Sequence, residues 1–176
     1  TLFRSGRWEL ETTNPLSDYS TLSMVYPNGL KMDDRCTAQA TGATYDCYGN
    51  LVSIIEQGQS KVILWGYKGK YAIAEIKNAT YDQVIQELGD IINIISQSTV
   101  PDSYMPMIKS LQNKLPESFI TLYKYKPFVG ISEITNPRGV TTYYSYDGMG
   151  RLIESYLMKD NVKNIIQHVN YNYSIK

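Results

Sequence analysis

Apolar and polar positions alternate with a period of two over residues 1–79, take helical spacing over 80–116, and return to the period of two over 117–176. In the first stretch, Gly, Pro and Asn punctuation predicts strands over 8–11, 22–26, 43–45, 51–56, 62–67 and 72–76. Pro27-Asn28-Gly29 predicts a turn, because Pro presets φ and Asn-Gly accepts positive φ. In the middle stretch Tyr81, Val84, Ile85, Leu88, Ile91, Ile92 and Ile95 form one apolar stripe, as a helix packed along a single face requires. Thr80 and Gln83 stand at capping-box spacing at its start. Gly89 weakens this helix by up to about 1 kcal/mol relative to alanine, so it needs tertiary packing. A second, shorter helix is expected over 103–115, with Pro106 tolerated in its first turn and Pro116 stopping it. The third stretch predicts strands over 120–125, 130–135, 140–146, 152–157 and 165–173. The expected fold class is α+β, a twisted antiparallel β-sheet with a two-helix insertion packed on one face. A single domain over 1–176 is expected, with β-rich parts at 1–79 and 117–176 and the helical hairpin at 80–116.

Composition narrows the chemistry. The chain has 176 residues with 17 basic and 17 acidic side chains, so the formal net charge is zero. No basic excess draws in nucleic acid or anionic lipid at long range. The longest apolar runs, such as 61–65, are far shorter than a membrane span. One His and two Cys do not supply the four ligands of a structural zinc site, and neither metal nor cofactor is expected. Sixteen Tyr stand against three Phe and two Trp. Tyr couples an apolar ring to a wet hydroxyl, which suits broad sheet faces that are half buried. The chain begins Thr1-Leu2-Phe3, with no initiator Met and no signal-peptide pattern, and is expected to be a processed or excised piece of a longer polypeptide.

Two segments match each other. Tyr45-Asp46-Cys47-Tyr48-Gly49-Asn50-Leu51 and Tyr146-Asp147-Gly148-Met149-Gly150-Arg151-Leu152 both read Y-D-x-x-G-[NR]-L between strand patterns. The expected unit is a β-hairpin. Tyr ends the incoming strand, Asp accepts from turn N–H groups, Gly takes the left-handed position, and Leu starts the return strand. Tyr125-Lys126-Pro127-Phe128-Val129-Gly130-Ile131 reads as a degenerate third copy, 21 residues before Tyr146. That spacing predicts stacked hairpins.

With these motifs the chain resembles the C-terminal end of the repeat region in bacterial Rhs/YD-repeat proteins. Asn136-Pro137-Arg138-Gly139-Val140-Thr141-Thr142-Tyr143-Tyr144-Ser145-Tyr146-Asp147 is similar to the family's D-P-R-G-x-T-x-Y-x-Y-D stretch, with Asn in place of the first Asp. Leu64-Trp65-Gly66-Tyr67 through Ala74-Glu75-Ile76-Lys77-Asn78-Ala79-Thr80-Tyr81 resembles the segment preceding a helical insert in large surface proteins of this family. Leu115-Pro116, with Tyr123-Lys124-Tyr125-Lys126-Pro127-Phe128-Val129-Gly130, resembles the segment after that insert. The match covers roughly 41–173. It implies a spiralling antiparallel sheet of YD-type hairpins, which closes into a shell around cargo in longer members. It also implies export to the cell surface or the extracellular space, upstream repeats as partner, and a scaffold role for the repeats.

The remaining chemistry-bearing residues are read as structural. His168, the sole histidine, is a strand residue near the terminus rather than a general base. Gly66-Tyr67-Lys68-Gly69-Lys70 is a turn, because Tyr71 replaces the Ser or Thr of a phosphate loop. Asp33-Asp34 lacks the further spaced oxygens of a calcium loop. Asp46 and Asp147 are turn residues by their repetition. If Thr41-Gly42 were a two-residue turn, Cys36 and Cys47 would face each other at disulfide range; two free thiols are the other reading. Trp65, Tyr67 and Tyr71, or Tyr143, Tyr144 and Tyr146, are either cross-strand ladders or an aromatic platform for sugar rings. Asn78-Ala79-Thr80 and Asn172-Tyr173-Ser174 fit the glycosylation sequon, but Thr80 is better used as a helix cap.

The functional expectation is a non-enzymatic structural and interaction module without catalytic residues, able to form a homo-oligomer by edge-strand pairing. The first alternative is a carbohydrate-binding module with Trp65, Tyr67, Tyr144 and Tyr146 meeting a glycan. The second is a hydrolase with an unrecognised carboxylate site.

Overall fold

A computed structural model of the chain describes residues 4–10, 24–26, 29–31 and 36–171. The Pro27-Asn28 turn, Asp33-Asp34 and the Asn172-Tyr173-Ser174 sequon lie outside the described residues. The chain divides into two compact units, Thr1–Ser60 and Lys61–Lys176.

In the first unit, β1 (Arg4–Leu10) pairs antiparallel with β4 (Cys36–Tyr45), which pairs antiparallel with β5 (Leu51–Glu56). A short hairpin, β2 (Met24–Tyr26) with β3 (Gly29–Lys31), stands as a separate ribbon. The strand expected at 43–45 is the end of the much longer β4. Gly42, at φ 63°, does not turn the chain; it forms a bulge at which the β4–β5 register shifts.

The second unit is an antiparallel meander of β6 (Gln59–Gly66), β7 (Tyr71–Lys77), β8 (Phe119–Lys126), β9 (Gly130–Thr135), β10 (Thr141–Tyr146), β11 (Leu152–Lys159) and β12 (Val162–His168). Each strand pairs with the next in sequence. The helices are inserted between β7 and β8, which remain neighbours, with Ala74 facing Leu122 and Ile76 facing Ile120. The α+β class with an antiparallel sheet is therefore the observed one. The final hairpin differs from expectation: consecutive left-handed residues Asp160 (φ 50°) and Asn161 (φ 61°) turn the chain, so the last strand starts earlier and ends at His168.

Three α-helices fill the insertion rather than two: α1 (Tyr81–Leu88), α2 (Ile91–Gln97) and α3 (Met105–Lys114), the last preceded by a 3-10 turn at Pro101–Tyr104. The Thr80 hydroxyl accepts from Gln83 N at 3.3 Å while Thr80 N donates to Gln83 Oε1 at 2.8 Å, closing the capping box. The apolar stripe runs on past Leu88, but the helix does not. Gly89 adopts φ 56° and its N–H donates to the Ile85 carbonyl, so the residue that would weaken a long helix ends a short one. Pro106 sits in the first turn of α3, where its missing N–H costs nothing.

The core lies between these helices and β6–β8. Val62, Leu64, Ile73, Ala74 and Ile76 are buried from the sheet, and Val84, Leu88, Ile95, Ile108 and Leu111 from the helices. Each fully buried Val, Leu or Ile contributes roughly 1.5–3 kcal/mol of transfer free energy, which holds down helices too short to persist alone. The helices cover the sheet only there: β12 is exposed along its length. Among the described residues no helix is long and apolar enough to cross a membrane.

Candidate functional site

The recurring Asp residues act on the backbone. Asp46, Asn136 and Asp147 each open a turn of one geometry. Their N–H groups donate to Asn50 O, Val140 O and Arg151 O at 2.9 Å each. Their carbonyls accept from Gly49, Gly139 and Gly150 at 3.1, 2.8 and 3.0 Å. Oδ1 of each side chain accepts two more backbone N–H groups: Tyr48 and Asn50 for Asp46, Arg138 and Val140 for Asn136, Met149 and Arg151 for Asp147, all at 2.8–3.0 Å. The closing glycines stand at φ 77–81°, which only Gly adopts without strain. On Asp147 the second oxygen takes Arg151 Nε at 2.8 Å and Nη2 at 2.5 Å, and these bonds hold its carboxyl below the usual carboxylate range. Asp46 Oδ2 accepts instead from Asn50 Nδ2 at 3.1 Å.

The third turn of this kind is therefore Asn136–Val140, not the segment beginning at Tyr125. Between β8 and β9 the chain bends at Pro127-Phe128 with Phe128 itself left-handed (φ 64°), and Gly130 is an ordinary strand residue. What the Tyr125 segment shares is its tyrosine. Tyr125 Oη donates to Ala72 O at 2.8 Å, Tyr146 Oη to Ile131 O at 2.7 Å, and Tyr171 Oη to Leu152 O at 2.9 Å. Extending each ladder places Tyr125 opposite Tyr71, Tyr146 opposite Gly130 and Tyr171 opposite Arg151. The acceptor is in each case one residue past the facing position. The Tyr125 ring stacks on Tyr71 at 4.7 Å, and the Arg151 guanidinium lies 4.5 Å from the Tyr171 ring centre. Tyr125 thus latches β8 to β7 and Tyr146 latches β10 to β9, while Tyr171 latches the chain just past β12 to β11.

The aromatic candidates do not share one surface. Trp65 lies on the face of β6 opposite the buried Val62, Leu64 and Gly66. Tyr67 is only 8 % exposed, donates to Asp102 Oδ1 at 2.9 Å, and meets Tyr71 and Tyr125 edge-on. Burial, with the Asp102 hydrogen bond second, pushes its phenol up to about 12. Tyr144 is half-buried, and the Tyr146 hydroxyl is engaged as above. A stacked pair forms instead between Tyr143 and Tyr156, with centres 5.3 Å apart and Lys163 Nζ 4.3 Å from the Tyr156 centre.

The Gly66–Lys70 segment is a turn whose Lys68 and Gly69 N–H groups donate to Ser98 O and Ser96 O at 3.1 and 3.0 Å, so they point at protein carbonyls. His168 ends β12, exposed, with Nε2 3.0 Å from Asn170 Oδ1. The disulfide geometry is absent: β4 runs unbroken from Cys36, opposite Leu10, to Tyr45, and Cys47 lies free and exposed beyond its other end. Nine extended steps separate the strand's ends by ~30 Å, far outside disulfide range.

The described residues of the second unit also form a groove that sequence reasoning did not locate. Its floor is Ile120 and Leu122 on β8, with Thr135 facing Leu122 and Thr141 facing Thr135. One wall is the face of α3 that carries Pro106, Lys109 and Asn113, and the other is the Asn136–Gly139 turn. The outer cavity measures 480 Å³, and an inner one of 310 Å³ reaches Asp102, Lys124 and Glu133. Lys124 and Glu133 pair at 2.9 Å. The only linear signal of this site is the one-face spacing of Pro106, Lys109 and Asn113; nothing along the chain joins Arg138 to them. No protein-family model matches this chain, and no curated protein matches it.

Proposed function

We propose that this chain is a non-enzymatic structural and interaction module, part of a larger exported surface protein built of YD-type hairpins. What carries the reading is that its recurrent residues serve the backbone. Oδ1 of Asp46, Asn136 and Asp147 accepts two turn N–H groups each, Oδ2 of the two aspartates accepts from Asn50 and Arg151 side chains, and Tyr125, Tyr146 and Tyr171 bond successive strands together. A side chain saturated in this way has little left for substrate. In this reading the hairpins stack as ribbons, the helical insert covers part of one face, and upstream repeats continue the array at the cell surface.

The interaction surface is β12. Among the described residues it pairs with β11 alone, and Val162, Ile165 and Ile166 are 58–60 % exposed. An open edge bearing apolar side chains is a template for another strand, here a second copy. Light scattering across a concentration series is the test. Dimers that Ile165→Lys abolishes support the reading, and a strict monomer at high concentration counts against it.

The carbohydrate-binding reading draws on the Tyr143–Tyr156 stack, a half-buried aromatic surface. Glycan-array binding lost in Trp65→Ala or Tyr156→Ala would favour it.

A further inference from the structure

The groove between α3 and the Asn136–Gly139 turn has an electrostatic character that the hairpin architecture does not require. Lys109 and Arg138 rise from opposite walls, both exposed. Lys109 reaches across: a methyl on Gly139 would lie 3.9 Å from its Nζ. Among the described residues neither cation has an acidic partner within 4 Å. The outer cavity contains no carboxylate at all. Toward the inner end stand the Lys124–Glu133 pair, at 2.9 Å, and Asp102, whose Oδ1 accepts from the Tyr67 hydroxyl at 2.9 Å. The groove is therefore positive at its mouth, and its acidic lining residues stand only at the inner end.

We propose that this groove binds an extended acidic peptide segment of a partner protein. Its carboxylates would meet Lys109 and Arg138, and its apolar side chains would lie on Pro106 and Pro137, exposed on the two walls, since Ile120 and Leu122 are only 5 and 7 % exposed. The floor runs along β8 from Ile120 to Lys124, four steps of ~3.4 Å or ~14 Å, the length of roughly four extended residues. Strand addition is barred at the floor, because the backbones of β8 and β9 are already paired on both sides. Recognition thus falls to side chains. Gln112 takes no part, since its amide nitrogen donates to Pro116 O and Ser118 O at 3.3 and 2.8 Å. A free phosphate or single acidic sugar would satisfy the cations and leave Pro106 and Pro137 uncovered. This proposal is independent of edge pairing by β12, which lies elsewhere on the sheet.

The experiment is fluorescence anisotropy on the full chain with a labelled peptide alternating glutamate and leucine. Its lysine–leucine counterpart, trigalacturonate and inorganic phosphate serve as comparators. The acidic peptide is expected to bind, to weaken as salt rises, and to lose about tenfold in affinity on Lys109→Glu or Arg138→Glu. Both residues are exposed, so the variants keep the circular dichroism of the parent. Equal binding of the basic peptide, or affinity unchanged by both charge reversals, overturns the proposal. So does displacement of the peptide by trigalacturonate or phosphate at equal concentration, which would assign the groove to a small anion.

Discussion

The Tyr146 ring occupies the space in which a side chain at Gly130 would stand. A methyl on Gly130 would lie 2.6 Å from Tyr146 Oη and 2.9 Å from Cζ. The ring is fixed there by its 2.7 Å bond to the Ile131 carbonyl, so it can move aside only by giving that bond up. Gly130→Ala is accordingly expected to destabilise the protein by about 1–3 kcal/mol, as overpacking does. Tyr146→Phe should cost ~1 kcal/mol, the worth of one hydrogen bond. Because one relationship underlies both losses, the double variant should lose less than their sum. Urea unfolding of the three variants measures this, and strict additivity would separate the two residues.

The Asn136 turn makes the same backbone bonds as its two Asp counterparts, with an amide oxygen for a carboxylate. Asn136→Asp should therefore be nearly neutral. Asn136→Ala leaves the Arg138 and Val140 N–H groups without their acceptor and should cost about 1 kcal/mol. Gly139→Ala, forced to φ 81°, should cost about 1–2 kcal/mol. Shifts in denaturation midpoint rank the three.

Acid should weaken the hairpin closed by Asp147 and Arg151. Its carboxyl is held below the usual range by the Arg151 bonds, so the unfolded chain takes up this proton first as pH falls. The stabilisation is complete above the unfolded value of about 3.9 and is lost as pH drops below it toward the lowered folded value. Asp147→Asn should flatten that part of the stability–pH curve below about pH 4, as unfolding at several pH values would reveal.

At the alkaline end the sign reverses. Tyr67 is pushed up to about 12 by burial and by its bond to Asp102, and burial also raises Tyr123, Tyr125 and Tyr146. Above the unfolded value of about 10, the unfolded chain ionises while the native phenols stay protonated. Stability should then fall as pH rises from about 10 to about 12. Ultraviolet titration of phenolate should show one fewer late-titrating group in Tyr67→Phe.

Features that depend on neighbours in the chain were legible. The Thr80–Gln83 capping box and the Y-D-x-x-G turns each bind residues within five positions of one another, so residue type and spacing suffice. Gly89 stands out in the sequence as a weak point, but whether it bends, weakens or ends a helix depends on what packs against it. Asn136-Pro137-Arg138-Gly139 does not announce the same turn along the chain, because an amide followed by Pro-Arg does not look like Asp followed by Cys-Tyr or Gly-Met.

The amino-acid sequence by itself determined the periods, the corners and the caps, because these rest on φ preferences and hydrogen bonds closed over a few residues. Tertiary structure alone decided which tyrosine faces which carbonyl, that Gly130 is a seat and not a corner, and that Lys109 stands across a groove from Arg138. Those relationships depend on strand register and on a helix folded back over the sheet, and a linear chain does not reveal what lies beside a residue once distant segments have packed.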